Sequence, residues 1–329
     1  MFHVNRKVYG LGLALGVGVA AVGLPQAAQA WEPQKPVEFV VMAGKGGGAD
    51  KAVRFMQSII AKNKLAPVPV TPVNKPGGSG AEALVYLKGK KGDDHTIMFT
   101  LNSFYTTPLR QPALGVDIET FTPVARMAED TFCLWVHSDE KDIKNVDDFV
   151  KAAKAKGSDW IMAGTGKASE DNLLTDFLNS AYGLKMKYVP YKGGGKVAKE
   201  LAGKNANSTV NNPSEQLGFF EAGTTKPLAC FTDERIGLFK DAPTFKEIGK
   251  DFVYYMQRTV VGAPGMSADA AAYYQGLFKK VFESDEWQGY MKKKALQGDA
   301  LQGDALMSYW KKERDVHKKM LIQMGAIKG

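Results

Sequence analysis

The chain has 329 residues, a formal net charge of +8 and 44% hydrophobic residues, which is enough apolar material for full cores and argues against intrinsic disorder. The positive charge comes from scattered lysines without an arginine-rich stripe between aromatic residues, which argues against nucleic-acid binding. Two cysteines and four isolated histidines support neither a disulfide-dense scaffold nor a metal motif, so we predict no metal and no cofactor.

The first thirty residues are typical of an export signal. Arg6 and Lys7 form a short basic region, an uncharged stretch rich in Gly, Ala, Leu and Val follows over 8–24, and residues 28–30 read Ala-Gln-Ala, a small-x-small cleavage pattern. A retained membrane anchor is the alternative, but the stretch is shorter than the ~20 residues that span a bilayer, and its glycines weaken a helix. We therefore predict cleavage after Ala30 and a mature protein outside the cytoplasm.

Predicted strands then alternate with predicted helices. The first series contains strand 37–42, helix 50–62, strand 68–73, helix 81–88 and strand 96–100. It ends in a long extended run over 121–136. Strands that alternate with helices indicate a parallel sheet with helices on both faces.

The same alternation then starts again. The second series contains helix 146–156, strand 160–163, helix 173–182, strand 187–191, helix 197–202, strand 206–210, helix 215–222 and strand 227–231. A second extended run over 252–263 precedes three helices that begin near Ala268, Glu286 and Ala305.

This repetition predicts an α/β fold with two Rossmann-like lobes hinged by two crossover strands. We predict that lobe 1 comprises 31–128 and 256–329, and that lobe 2 comprises 129–255. In open α/β sheets ligands bind beyond the carboxyl ends of the strands, so the ligand cleft is expected between the lobes. A duplicated unit, ALQGD, at 295–299 and 300–304 matches neither helix nor strand period, and we predict a surface loop without an assigned function.

A glycine cluster follows the first strand. Residues 44–49 read Gly-Lys-Gly-Gly-Gly-Ala and satisfy the dinucleotide fingerprint in form, in a strand-to-helix context. The acidic residue expected about 20 positions later is absent, because Glu82 is the next acid after Asp50. A Walker P-loop also fails, because Lys167 is followed by alanine. What these loops share is a set of backbone N–H donors at a helix N-terminus, which suits an anion.

Polar or small residues follow the strands of both predicted lobes. Besides the first turn, with Gly46, Gly47, Gly48 and Asp50, the candidate binding residues are Asn102, Ser103, Thr165, Gly166, Lys167, Ser169, Gly194, Asn211 and Asn212. Each alone marks only a turn, but five such turns at corresponding strand ends indicate an anion cleft.

Two alternatives remain open in this sequence. Asp50 either caps its own helix or takes a direct part in ligand binding. Cys133 and Cys230 both lie in apolar strand-like runs, and are either separate buried residues or a disulfide.

No catalytic pattern is present. The chain has no G-x-S-x-G elbow, and no histidine is obviously placed to activate Ser79. We therefore predict a binding protein without catalytic residues.

Five stretches together resemble one known family. They are PVEFVVMAGKGGGAD (36–50), VNKPGGSGAEA (73–83), AGTGKASEDNL (163–173), VPYKGGGK (189–196) and VVGAPGMS (260–267). Their order and spread over the chain are similar to those of the extracytoplasmic receptors of tripartite tricarboxylate transporters, also called Bug-type solute-binding proteins.

The resemblance implies a type II periplasmic binding protein fold and a periplasmic receptor for an organic acid anion: a di- or tricarboxylate, or an aromatic carboxylate. It also implies delivery of the ligand to a large and a small integral-membrane subunit. In that family the first glycine loop and its partner loop in the second lobe hold the ligand carboxylates. The corresponding positions here are Gly46, Gly47, Gly48 and Asp50 in the first loop and Thr165 to Ser169 in the second. A sensor that feeds a two-component system is the alternative, and an exported enzyme is a third hypothesis.

Overall fold

The computed structural model describes residues 1–3, 31–167 and 169–329. The chain divides into two units, Met1–Ala30 and Trp31–Gly329, and the described helices and strands belong to the second. The predicted export signal and its cleavage after Ala30 lie outside the described residues. Among the described helices, none has both the length and the apolar character that a bilayer crossing requires.

The described strands form two sheets of five strands each. They are β1 (Val37–Val41), β2 (Val70–Asn74), β3 (Thr96–Thr100), β4 (Thr122–Asp130), β5 (Cys133–His137), β6 (Ile161–Thr165), β7 (Lys187–Tyr191), β8 (Ser208–Asn211), β9 (Thr225–Cys230) and β10 (Met256–Gly262).

The two sheets repeat one strand order. The first is β2-β1-β3-β10-β4, and the second is β7-β6-β8-β5-β9. In each sheet one strand pairs in parallel with two neighbours, β1 in the first and β6 in the second. An antiparallel strand, β10 or β5, then lies second from the edge. We use lobe 1 and lobe 2 for the parts of the chain that carry the first and the second sheet.

The described α-helices surround these sheets. They are α1 (Gly48–Lys62), α2 (Ala81–Lys88), α3 (Ser103–Arg110), α4 (Val146–Lys156), α5 (Glu170–Tyr182), α6 (Gly194–Ala202), α7 (Pro213–Glu221), α8 (Ala268–Glu283), α9 (Asp285–Lys294) and α10 (Gly303–Gln323).

Apolar spacing explains most of these helices. In α1 the residues at helical spacing, from Ala52 and Val53 to Ile60, are all buried against the first sheet. Helix α3 is not predicted by the sequence pattern, because Pro108 stands inside it and two threonines precede that proline. It forms because Phe104 and Tyr105 are fully buried, and this packing outweighs a weak local preference.

Two connections join the sheets. Strands β4 and β5 are separated only by Thr131 and Phe132, and the chain returns from β9 to β10 through 231–255. Helix α10 contributes to both cores: Trp310 packs in a cluster with residues of lobe 1, and Leu321 packs in the main cluster of lobe 2. The predicted lobe boundaries, 128/129 and 255/256, lie close to these two connections and remain predictions.

The four edge strands are each modified or covered. Pro72 in β2 and Pro190 in β7 remove a backbone donor from the outer strands. At the opposite edges, the duplicated segment forms bridges to β4 through Gln297 and Leu301, and Thr244 forms a bridge to Cys230 of β9. The ALQGD segment is therefore more than the surface loop predicted above, because its backbone pairs with an edge strand.

A disulfide joins Cys133 of β5 to Cys230 of β9. The two residues face each other in the antiparallel register of neighbouring strands, with Cα atoms 3.9 Å apart. Of the two alternatives for Cys133 and Cys230, the structure therefore contains the disulfide.

Candidate functional site

The glycine turn after β1 faces lobe 2. Gly46 adopts φ 79°, which favours glycine, and its N–H donates to Asp50 Oδ2 at 2.8 Å. Gly47 is the N-cap residue of α1, and Gly48 is its first helical residue. The Gly48 N–H donates across the gap between the lobes to Oε1 of Glu215 on α7, at 2.7 Å. This turn therefore lies where the two lobes meet, and a protein carboxylate already occupies one of its donors.

Glu215 is tightly enclosed. Its side chain is 5% exposed, and its Oε2 lies 4.0 Å from Lys51 Nζ of α1. A Cβ atom at Gly48 would lie 3.1 Å from Arg258 Nη2, 3.2 Å from Glu215 Oε1 and 3.6 Å from Ser214 Oγ. Position 48 therefore has little room for a side chain, and the two lobes meet closely at this point.

A buried ion pair supports the lobe 1 side of this contact. Arg258 of β10 donates through Nε to Asp130 at the end of β4, at 3.1 Å, and a second bond to the same carboxylate runs from Nη2. Burial raises the pKa of Asp130, while the Arg258 guanidinium acts against that shift and the charge of Glu215 adds to it. Lys51, the α1 N-terminus and the Arg258–Asp130 pair thus lie near the Glu215 carboxylate.

Asp50 is bound within its own turn. Its carboxylate accepts from the Gly46 N–H, from Arg54 Nε at 3.0 Å and from Asn74 Nδ2 at 3.0 Å. Burial works to raise the pKa of Asp50, but these hydrogen bonds and the Arg54 charge outweigh it and hold the pKa below its ordinary value. These contacts occupy both carboxylate oxygens, so they favour a structural role for Asp50. That role is not the predicted helix cap, because Gly47 is the N-cap residue of α1 and the Asp50 carboxylate binds the preceding turn.

The corresponding turn of lobe 2 is built in a similar way. The Thr165 N–H donates to Asp171 Oδ2 at 2.7 Å, and the Thr165 carbonyl accepts from Tyr188 Oη at 2.9 Å and from Ser169 Oγ. Gly166 adopts φ 56° and donates to the Tyr191 carbonyl at 3.3 Å. Asp171 is 3% exposed, and burial raises its pKa to about 8.

This second turn also approaches lobe 1. A Cβ atom at Gly166 would lie 3.8 Å from Ser79 Oγ, in the loop after β2. The side chain of Lys167 is exposed. Both predicted glycine turns therefore lie close to residues of the other lobe.

Asn102 serves a different purpose from the one predicted. It is fully buried, and its Nδ2 lies within hydrogen-bond distance of Tyr254 Oη and the Tyr255 carbonyl. Its Oδ1 accepts from Tyr105 Oη and from the Gln257 N–H. The amide is thus occupied by a network at the return connection, and we remove its side chain from the candidate ligand contacts.

The same network contains a buried histidine. His317 Nε2 of α10 lies 2.9 Å from Tyr254 Oη, and burial lowers the pKa of His317 to about 4. Ser103, the other predicted residue of this strand end, donates its hydroxyl to Met42 Sδ at 3.1 Å. The Ser103 contact holds α3 to the end of β1 in lobe 1. His317 ties α10 both to the return connection through Tyr254 and to Asn102 of lobe 1.

The three remaining predicted residues lie behind Glu215. Asn211 Nδ2 donates to the Gly194 carbonyl at 3.1 Å, and Asn212 Nδ2 donates to the Thr131 carbonyl of the first connection at 2.8 Å. A Cβ atom at Gly194 would lie 2.8 Å from Glu215 Cγ. These residues position α7 and the Glu215 carboxylate. Both asparagine side chains donate to backbone carbonyls of the protein itself.

Four residues that contribute to the crevice were not predicted: Glu215, Arg258, Glu170 and Arg110. Arg258 had a usable signal, because it is a lone charge inside the apolar run of β10. Glu170 Oε1, Arg110 Nε and Ser214 Oγ are buried and have no hydrogen-bond partner among the described residues. Burial raises the pKa of Glu170, while the Asn102 N–H and the charges of Arg258 and Arg110 oppose that shift.

The chain resembles curated and solved proteins over most of its length. It is 28% identical over 255 residues to a UPF0065 protein of Bordetella bronchiseptica, covering 75% of this chain and 74% of that protein. The structure of the periplasmic binding protein BugD superimposes with a TM-score of 0.81 at 20% identity, over 90% of this chain and 99% of that one.

A second solved structure, R. palustris Rpa4515 with adipate, gives a TM-score of 0.80 at 22% identity, over 89% of this chain and 98% of that one. These likenesses confirm the predicted two-lobe fold of periplasmic binding proteins. The model of the tripartite tricarboxylate transporter family receptor matches residues 53–324. Because this match takes in well over half of the chain, the protein belongs to the receptor family of tripartite tricarboxylate transporters.

Proposed function

We propose that the protein is a periplasmic receptor, and not an enzyme, which captures an organic acid anion between its lobes. It then delivers the anion to the large and small membrane subunits of a tripartite transporter. The family supports a receptor role. The adipate named with the related Rpa4515 structure supports a carboxylate as the ligand class.

One observation carries this proposal: the N-terminus of α1 faces lobe 2 and holds a carboxylate. The Gly48 N–H and the Glu215 carboxylate have the donor and acceptor chemistry that a bound organic acid would use. Lys51 and Arg258 add positive charge near this point. The predicted set Gly46, Gly47, Gly48, Thr165, Gly166, Lys167 and Ser169 stays our proposal for the ligand contacts, with Gly194, Asn211 and Asn212 as supporting residues.

Binding would work through closure of the lobes. A ligand that contacts both turns is bound best when the lobes are together, so it shifts the population toward the closed form. The membrane subunits would then recognise that form. Ligand binding also stabilises the fold by mass action, by about 2.7 kcal/mol at one hundred times the Kd.

A thermal-shift screen of mono-, di- and tricarboxylates tests the ligand class. We expect at least one acid, with adipate among the first candidates, to raise the unfolding temperature. An increase with an amino acid, a sugar or a metal ion, and with none of the carboxylates, would contradict the proposal. Recovery of the bound acid unchanged after long incubation is expected for a receptor, whereas its turnover would indicate an enzyme.

The substitution Gly47→Asp tests the position of the site. Gly47 has φ −77°, which any residue adopts, and a Cβ atom there would meet only the Gly44 carbonyl, at 3.6 Å. An N-cap aspartate would bind the free N–H groups of α1 itself, so we expect a retained fold and lost carboxylate binding.

Gly289→Asp is the matched control for this variant. It introduces the same charge on an exposed part of α9, where a Cβ atom meets nothing within 4 Å. Its carboxylate affinity should equal that of the wild type. Unchanged affinity in Gly47→Asp would show that the site lies elsewhere.

A further inference from the structure

We propose that Glu215 is a resident competitor at the ligand site: its carboxylate holds the anion position of lobe 1 until a ligand carboxylate displaces it. This makes Glu215 an affinity-determining residue, because every acid must displace the internal carboxylate before it binds the Gly48 N–H. The inference rests on the proposed function for its ligand, but the contact itself can be tested without any natural ligand.

The first argument is chemical identity. Glu215 Oε1 accepts from the Gly48 N–H at 2.7 Å, at the N-terminus of a fifteen-residue helix. A ligand carboxylate would use the same donor and the same end of the helix dipole. Two carboxylates cannot occupy this position together, because position 48 is already crowded by Arg258 Nη2 and Ser214 Oγ.

The second argument is that Glu215 reaches this position from the other lobe. Gly48 is at the start of α1 in lobe 1, and Glu215 is the third residue of α7 in lobe 2. The contact thus bridges the lobes and favours their closed arrangement without a ligand. When the lobes open, Glu215 leaves with lobe 2 and the Gly48 N–H becomes free for an incoming acid.

The third argument is that the structure holds Glu215 in place. Gly194 gives space behind its side chain, since a Cβ atom there would lie 2.8 Å from Glu215 Cγ. The Asn211 amide fixes the Gly194 carbonyl, and Pro213 begins the helix. Ser214 Oγ beside it is buried and has no partner among the described residues, so the crevice keeps one further polar atom for a ligand.

Chemical rescue by acetate tests the contact. The substitution Glu215→Ala removes the internal carboxylate. It leaves a cavity beside the Gly48 N–H that a small carboxylate such as acetate can fill. We expect the unfolding temperature of this variant to rise with sodium acetate well above its value in sodium chloride of equal ionic strength. The wild type should show no such difference.

Glu221→Ala, at the exposed end of the same helix, is the matched control and should behave as the wild type. Equal responses to acetate and chloride in Glu215→Ala would overturn the proposal. If the alanine variant does not fold, the adipate titration of Glu215→Gln decides instead, because the amide keeps the size, leaves no cavity for acetate and loses the charge of the internal competitor.

Adipate titration by calorimetry tests the competition. Removal of the competitor should tighten adipate binding by about tenfold, the change that about 1.4 kcal/mol of lost competition produces, and Glu215→Gln should gain less. An adipate affinity that is unchanged or weaker in Glu215→Ala than in the wild type would overturn the inference. If no carboxylate binds to either protein, the proposed function fails, and the acetate experiment alone decides whether Glu215 fills an anion position.

Discussion

The two glycine turns of the crevice share a design but differ in charge. In lobe 1, Asp50 accepts from a backbone N–H of its turn and also binds Arg54 and Asn74. In lobe 2, Asp171 accepts from the Thr165 N–H in the same manner, but no cation among the described residues faces it closely enough to offset its burial. Hydrogen bonds and Arg54 hold the pKa of Asp50 below its ordinary value, whereas burial raises the pKa of Asp171 to about 8.

A backbone donor alone therefore does not keep the pKa of a buried carboxylate low, as Asp171 shows. Both carboxylates accept a backbone hydrogen bond, and Asp50, which Arg54 and Asn74 also bind, keeps a lowered pKa.

A guanidinium is not always sufficient, because burial raises the pKa of Asp130 although Arg258 binds it. We therefore expect a ligand acid to gain from a cation as well as from N–H donors. Lys51 and Arg258 lie on the lobe 1 side, beside the Gly48 donor.

One large expected effect concerns the disulfide of lobe 2, and it tests whether the two lobes unfold independently. Replacing Cys133 and Cys230 by alanine should lower the free energy of unfolding by about 2–5 kcal/mol. The bond lies in the sheet that carries the Asp171 turn, so hydrogen exchange should accelerate more in β6 than in β1.

Wild-type protein treated with a reductant provides the comparison for this double variant. Equal acceleration in both sheets would show that the lobes unfold as one unit. An unchanged free energy of unfolding would mean that the cross-link adds no stability.

The next effect concerns the charge of Asp171. A carboxyl whose pKa is raised from 3.8 to about 8 contributes stability that is fully present below about pH 4 and is lost as pH rises through about 8. Asp171→Asn removes this titration, so the variant should gain stability relative to the wild type over that window, by at most about 1.4 kcal/mol per pH unit. Urea unfolding at several pH values measures the difference.

Asp147→Asn is the control for this series, because Asp147 is exposed in the first turn of α4. Its difference from the wild type should not follow the same pH course. A stability difference of Asp171→Asn that is flat between about pH 4 and about pH 8 would contradict the contrast between the turns.

The smallest effect concerns Asp50. Its pKa is lowered, so its contribution is present above its ordinary value of 3.8 and is lost as pH falls through the lower folded value. Asp50→Asn should cost about 1–2 kcal/mol at pH 7, since Arg54 is 46% exposed and water screens the pair. The cost should disappear in acid, opposite to the course for Asp171→Asn.

Adipate affinity separates the two interpretations of Asp50. Unchanged affinity in Asp50→Asn would support a role limited to holding the turn before α1 in place. A loss of affinity larger than the loss of stability explains would show that the carboxylate takes part in ligand binding.

The sequence predicted the local structure where the signal was local. Helices α2 and α4 and strands β3 and β7 have the bounds expected from their apolar spacing and flanking turns. Helix α3 was missed because Pro108 is a strong local signal against a helix, and the burial of Phe104 decides the outcome only in three dimensions.

The candidate site was predicted only in part for the same reason. The Gly46–Gly48 and Thr165–Ser169 turns could be located, because glycine and serine follow strands at fixed positions. Glu215 could not, since its partner Gly48 is 167 residues away and an acid in a helical first turn usually serves as a surface charge. Asn102 was misjudged because a turn-forming amide and a buried network amide look the same in sequence.

The prolines and covering segments at the four sheet edges have a consequence for the solubility of the protein at high concentration. Two edges have a proline, Pro72 or Pro190, and two have a covering segment, one of them the duplicated ALQGD stretch against β4. An unprotected edge strand is a template on which a second molecule can add its own strand and start aggregation. Trimming one ALQGD copy would uncover part of β4, and we expect the trimmed protein to precipitate at concentrations at which the full chain stays in solution.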